Sequence, residues 1–168
     1  VEVLAGGGPS DVVELTLALA REMLEAAGVH DADVEKALKD GRAMDKWKQM
    51  IKAQGGDPDA KLPVATHTHD VIAESDGYLT ELDALSVGVS SWRLGAGRAR
   101  KEDPVQATAG IELHAVKGEK VSKGQKLFTL HTETPECFER SLETLQQGFK
   151  ITDAPLDKER QIILDRIG

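Results

Sequence analysis

The run Gly110-Ile111-Glu112-Leu113-His114-Ala115-Val116-Lys117-Gly118-Glu119-Lys120-Val121-Ser122-Lys123-Gly124-Gln125-Lys126-Leu127-Phe128-Thr129-Leu130 decides the fold. Its apolar residues come in two short bursts, 111–115 and 126–130, too short for stable helices and of strand length. Gly118 and Gly124 lie between them, where turns need positive φ. Working outward, residues 68–74 and 78–82 read as two more strands around the turn Ser75-Asp76-Gly77. A helix is expected over about 83–93, ended by the glycine-bearing stretch Leu94-Gly95-Ala96-Gly97-Arg98. After residue 130, Thr134 as cap, Pro135 at the first helical position and Gly148 as terminator frame a last helix, and residues 161–167 are expected to add a strand.

The N-terminal third has a different period. Ser10 as N-cap, with Asp11 and Glu14 in the first turn, starts a helix expected to run to about residue 27, with Gly28 as its stop. Val12, Val13, Leu15, Leu17, Leu19, Met23 and Leu24 spread over more of its surface than one stripe, so cover is expected on several sides. Self-association, or packing against the second domain, is the expected source of that cover. A short charged helix from Asp31 or Asp33 and a third over 42–54, carrying Met44, Trp47, Met50 and Ile51, complete a helical segment. Gly55-Gly56-Asp57-Pro58-Asp59 is turn-rich and marks the expected boundary between a helical segment, 1–57, and a second domain, 58–168. The fold class is therefore α+β, with packing helices first. Val1, Val3 and Leu4 before Gly6 read as the last turn of a helix, which gives the chain the look of a fragment.

Composition narrows the function. The 168 residues hold 21 Lys and Arg against 29 Asp and Glu, a net charge of -8, which opposes the broad phosphate contact of nucleic-acid binders. No stretch reaches the roughly 20 apolar residues of a membrane span. Cys137 has no second cysteine to pair with, so a reduced, cytoplasmic setting is the default.

Candidate sites are few. His67-Thr68-His69 places two imidazoles on one strand face, but without a third ligand at suitable spacing no metal is expected. Gly6-Gly7-Gly8-Pro9-Ser10 before a helix looks like a phosphate cradle yet lacks the Gly-Lys-Ser/Thr that a P-loop needs, and a plain helical connection fits better. Ser90, Ser91 and Cys137 have no histidine partner nearby in sequence, so no catalytic residue is expected. Leu94, Gly95, Ala96, Gly97 and Arg98, extended by Arg100 and Lys101, combine close backbone approach with cationic charge. An anion-facing loop and a solvated basic loop stand as equal readings.

The strand pair around Gly118 and Gly124 resembles the hairpin of biotinyl and lipoyl carrier domains, which gives the alternative function of a non-catalytic binding or carrier module. Such a carrier presents a lysine after the strand, whereas here His131-Thr132-Glu133-Thr134-Pro135 follows. The ordered set formed by Val1-Glu2-Val3-Leu4-Ala5-Gly6-Gly7-Gly8-Pro9, Ala53-Gln54-Gly55-Gly56-Asp57, Asp76-Gly77-Tyr78-Leu79, Leu94-Gly95-Ala96-Gly97-Arg98 and the Gly110 hairpin resembles the C-terminal portion of the pyrimidine-nucleoside (thymidine) phosphorylases. The resemblance implies a pentosyltransferase of nucleoside salvage that uses phosphate as co-substrate to cleave pyrimidine nucleosides, with no cofactor in this portion. It further implies an α/β-hammerhead C-terminal domain and a homodimeric full enzyme. The phosphate loop and most base-recognising residues of that family lie in an N-terminal catalytic portion with no counterpart here. These residues are accordingly expected to be inactive alone and to serve packing and cleft closure, with the 94–98 loop and Arg100 at the cleft rim.

Overall fold

The computed structural model describes residues 1–157 and 161–167. They fall into two compact units, the first comprising 1–61 and 161–167, the second 62–157. The last residues therefore belong with the N-terminal helices, not with the second domain to which the sequence pattern assigns them.

In the first unit a 3-10 turn, Val3–Ala5, precedes α1 (Ser10–Ala26), α2 (Val34–Lys39) and α3 (Arg42–Ala53). The N-cap of α1 is Pro9, in extended conformation at φ -62 and ψ 135, so Ser10 is already helical and does not act as the cap. At the other end Gly28, at φ 70, lets its own N–H reach Glu25 O at 3.0 Å and the Val29 N–H reach Leu24 O at 2.9 Å. That pair of bonds is a Schellman closure, and the left-handed residue it requires suits glycine. Asp33 caps α2 through Lys36 N at 2.9 Å. No residue of α1 is buried, with Leu19 55% and Met23 72% exposed, so the helices of its own unit do not supply the cover that its apolar spread calls for. One strip, Leu15, Ala18 and Leu19, lines a groove with Ile162, Ile163 and Leu164, and Arg166 bridges Glu22 and Glu25 at 3.0 and 2.6 Å. Residues 161–167 form no strand, because they meet a helix and have no strand edge to pair with.

The second unit contains six strands and two α-helices: β1 (His67–Ile72), β2 (Gly77–Leu82), α4 (Ala84–Ser91), β3 (Gly110–Leu113), β4 (Lys120–Val121), β5 (Lys126–Thr132), α5 (Cys137–Gln146) and β6 (Phe149–Thr152). They make two three-stranded antiparallel sheets, ordered β1-β5-β3 and β4-β2-β6. The architecture is α+β, as the sequence pattern indicates. β1 and β2 do not pair with each other across Ser75-Asp76-Gly77; each joins a different sheet.

β3 and β5 do pair, with Ile111 opposite Leu130 and Leu113 opposite Phe128. The segment between them leaves this sheet, adds β4 to the edge of β2 and returns. Leu79 N donates to Glu119 O at 2.9 Å and Gly118 N to Leu79 O at 2.7 Å on the way out, and Gly124 N donates to Ala73 O at 2.8 Å on the way back.

β5 is the central strand of its sheet, and residues 127–130 and Thr132 are buried, with the apolar side chains Leu127, Phe128 and Leu130 in the core and the Thr129 and Thr132 hydroxyls hydrogen-bonded. Leu127, Phe128 and Leu130 join Ala73, Leu79, Leu94, Ala115, Val121 and Leu145 in one core, and the Phe128 ring meets Phe149 edge-on at 5.1 Å. α4 and α5 are stitched by buried serines: Ser90 Oγ donates to Ser141 O at 2.8 Å and Ser141 Oγ to Ser90 O at 3.0 Å. Small side chains allow that approach, and reciprocal bonding satisfies both hydroxyls. Ser90 is thereby a packing residue. Among the described residues no helix is long and apolar enough to cross a membrane.

Candidate functional site

The cationic loop grows out of α4. Asp83 starts that helix by accepting from Ser86 N at 2.7 Å and Ser86 Oγ at 2.6 Å, which is N-cap chemistry. The chain then widens into a π-helical turn, Trp92–Ala96, inside which Gly95 adopts φ 108 and ψ 3. That backbone is left-handed, so a side chain there is strained. A Cβ on Gly95 would also lie 2.7 Å from Gln106 Cδ, and one on Gly97 would lie 2.4 Å from Trp92 Cδ1. Both glycines are thus occupied by neighbouring side chains of the same unit.

The five residues 94–98 divide sharply by environment. Leu94 is fully buried in the core and its carbonyl accepts Thr132 Oγ1 at 2.7 Å. Gly95, Ala96 and Gly97 are half-buried. Arg98 and Arg100 are exposed, the Arg98 guanidinium donating to Lys101 O at 3.0 Å and Arg100 N to Asp103 Oδ2 at 2.9 Å. Together with the exposed Lys101, these two present the charge of the loop to an incoming anion. Arg93, one position before Leu94, instead turns to α5, where its guanidinium donates to Arg140 O at 2.9 Å and to Thr144 Oγ1.

One contributor had no local signal in the sequence. Gln106 closes the loop: its N–H donates to Gly95 O at 2.9 Å, its Oε1 accepts Glu133 N at 2.8 Å, and its Nε2 donates to Thr134 Oγ1 at 2.9 Å. This also accounts for the start of α5. The Thr134 hydroxyl is engaged by Gln106, and α5 begins at Cys137 with Glu136 as cap. Thr134 O and Pro135 O accept Cys137 N and Phe138 N at 3.0 and 3.1 Å, a turn that precedes the helix proper. Thr134 and Pro135 are therefore outside the helix they were expected to open.

Beside this junction, the Glu133 carboxylate accepts Thr66 Oγ1 and, at 2.7 Å, Thr108 Oγ1. These hydroxyls, Thr66 first, hold its pKa below the usual carboxylate value because they bond the charged form. On the outer face of the β1-β5-β3 sheet, the Lys126 ammonium and the Thr129 hydroxyl lower the pKa of Asp70 in the same way. His114 Nε2 lies 2.8 Å from Thr129 Oγ1, and His131 Nε2 lies 3.7 Å from Glu112 Oε2. His69 stacks at 5.6 Å on Phe138. His69, His114 and His131 are thus parts of sheet and helix packing. Lys126, in the strand that resembles a carrier hairpin, is paired with Asp70 at 2.7 Å.

Two packed antiparallel sheets, a crossover strand and a glycine-bearing cationic loop define a class. Residues 78–152 match the family model of the pyrimidine nucleoside phosphorylase C-terminal domain, and the chain belongs to that family. Over 167 residues it is 48% identical to a thymidine phosphorylase of Mycobacterium tuberculosis, a match covering 99% of this chain and 39% of the relative. It is 39% identical over 147 residues to a pyrimidine-nucleoside phosphorylase of Staphylococcus epidermidis, covering 81% of the chain and 34% of that protein. A pyrimidine-nucleoside phosphorylase of Geobacillus stearothermophilus is 34% identical over 178 residues, with 99% of the chain and 41% of the relative covered. The chain therefore spans about two fifths of the length of the curated relatives it matches.

Proposed function

We propose that this chain acts as the cleft-closing C-terminal part of a pyrimidine-nucleoside phosphorylase and has no phosphorolytic activity by itself. In that reaction phosphate attacks the anomeric carbon, the bond to the pyrimidine nitrogen breaks, and free base and (deoxy)ribose 1-phosphate leave. The chemistry needs phosphate held in line with the sugar and fixed polar groups where charge develops. The observation that carries the reading is the relationship over 99% of this chain to 39% of a thymidine phosphorylase, joined to a candidate site without a nucleophile, base and orienting acid in contact. In this reading the reacting groups belong to the part of the relatives' length that this chain does not match.

The role assigned to Arg98, with Arg100 beside it, is at the rim of the cleft. Their exposed guanidinium groups can meet anionic substrate or a carboxylate on the facing wall when the cleft closes. The purified chain, incubated with thymidine and phosphate, is expected to release no thymine by chromatography. In a full-length phosphorylase carrying this sequence, Arg98→Ala is expected to lower turnover about tenfold to a hundredfold, the worth of one charged hydrogen bond. Thymine release by the chain alone ends the first claim, and unchanged kinetics of Arg98→Ala ends the second.

A further inference from the structure

We propose that Gln106 is the positioning residue of the 96–105 loop, holding its base so that Arg98 and Arg100 are carried as one flap. What the flap serves rests on the cleft-rim reading above; the anchoring itself rests on geometry. The entrance and exit of the loop both bond Thr132, and the exit also bonds the next two residues, Glu133 and Thr134. At the entrance, Leu94 O accepts the Thr132 hydroxyl at 2.7 Å. At the exit, the Gln106 amide reaches Glu133 N at 2.8 Å and Thr134 Oγ1 at 2.9 Å, with Thr132 Oγ1 3.1 Å from Oε1. The two ends are joined directly by Gln106 N to Gly95 O at 2.9 Å.

Beyond this base the pattern changes. Among the described residues, the hydrogen bonds of 98–103 stay inside the loop: Arg98 Nη1 to Lys101 O, Arg100 N to Asp103 Oδ2, and Asp103 N to Arg100 O at 3.1 Å. The base is fastened to the core strand β5, and the tip is fastened only to itself. Such a division lets a loop move as a unit while its ends keep their place.

The residue type follows from the partners. Glu133 N requires an acceptor and Thr134 Oγ1 is offered a donor, and one primary amide supplies both from a single planar group. Gly95 is its counterpart, since a Cβ there would lie 2.7 Å from Gln106 Cδ and 2.8 Å from Nε2. The two positions form a matched pair across the neck of the loop.

The test compares the 168-residue chain with its Gln106→Ala and Gln106→Glu variants. Hydrogen exchange is read by mass spectrometry on peptides covering 94–108 and 131–136, with tryptic nicking after Arg98, Arg100 and Lys101 and a urea midpoint as control. Gln106→Ala is expected to raise exchange at the neck, and the nicking rate, roughly tenfold, while peptides covering 126–130 are unchanged. Gln106→Glu keeps the acceptor for Glu133 N and is expected to fall between. Exchange and nicking within twofold of the parent, or a uniform rise across both sheets, overturns the anchor. A second arm places Gln106→Ala in a full-length phosphorylase, where kcat is expected to fall more than KM rises. A loosened neck with unchanged kcat leaves the anchor standing and removes the cleft-rim reading; an unloosened neck removes the anchor whatever the turnover.

Discussion

Gly95→Ala offers the sharpest probe of the loop neck, because two separable penalties meet at one atom. Holding alanine at φ 108 costs about 1–3 kcal/mol in backbone strain. The new methyl also displaces the Gln106 amide, whose nearest atoms lie 2.7, 2.8 and 3.1 Å from the Cβ position. Displacement breaks the bonds to Glu133 N and Thr134 Oγ1, at about 0.5–1.5 kcal/mol each. Because Gln106 is only half-buried, water recovers part of the second penalty, and the expected loss is about 2–4 kcal/mol. Urea unfolding followed by Trp92 fluorescence reports it locally, with Trp47 replaced by Phe to silence the first unit. In a Gln106→Ala background the three crowding atoms are gone, so the same substitution should cost only the strain term, a coupling of at least about 1 kcal/mol. A loss below about 0.5 kcal/mol, or strict additivity of the two substitutions, refutes the account of Gly95 and Gln106 as a matched pair.

Phe128→Ala should destabilise the second unit by about 3–5 kcal/mol, because the ring is fully buried and packs on Phe149; a urea midpoint within error of the parent would contradict its place in the core. Glu133 makes an acid-side prediction. Its pKa is lowered in the folded chain, so its stabilisation is complete above the unfolded value of about 4.3 and is lost as pH falls through the lower folded value. Removing the hydroxyls with Thr66→Val and Thr108→Val should move the Glu133 carboxyl titration, read by carbon NMR, upward toward the ordinary value. A titration curve that stays where it was would exclude those hydroxyls as the cause.

Local signals carried much of the fold. The first helix, expected over 10–27, is found as Ser10–Ala26, and the strands expected at 111–115 and 126–130 are found as Gly110–Leu113 and Lys126–Thr132. Period and punctuation suffice there, because glycines bound each run and the apolar content matches a buried strand. β6 was legible but missed: Phe149 and Ile151 alternate with Lys150 and Thr152 directly after Gly148. β4 is two residues long, and Lys120-Val121 carries no period to read. Ser10 and Thr134 look alike as caps, yet neither acts as one. Pro9 takes the extended cap conformation before Ser10, and Gln106 engages the Thr134 hydroxyl.

For the candidate site, the Leu94-Gly95-Ala96-Gly97-Arg98 stretch was visible because glycines beside cations stand out in any sequence. Its sorting into a buried leucine, a filled pair of glycines and exposed arginines was not, since Leu94 is buried in a core shared with β5 and α5, about thirty residues or more along the chain, and the glycine positions are filled by Gln106 and Trp92.

By itself the sequence determined where helices give way to strands, which positions are glycine by necessity of turning, and the family to which the ordered segments belong. Each of these is a property of neighbours within a few residues or of order along the chain. Tertiary structure alone decided that β1 and β2 part into different sheets, that 161–167 return to α1, and that Gln106 fastens the loop neck to Thr132, Glu133 and Thr134. Those outcomes rest on hydrogen bonds and packing between residues far apart in the chain, and such partners are chosen only when the whole unit closes around its core.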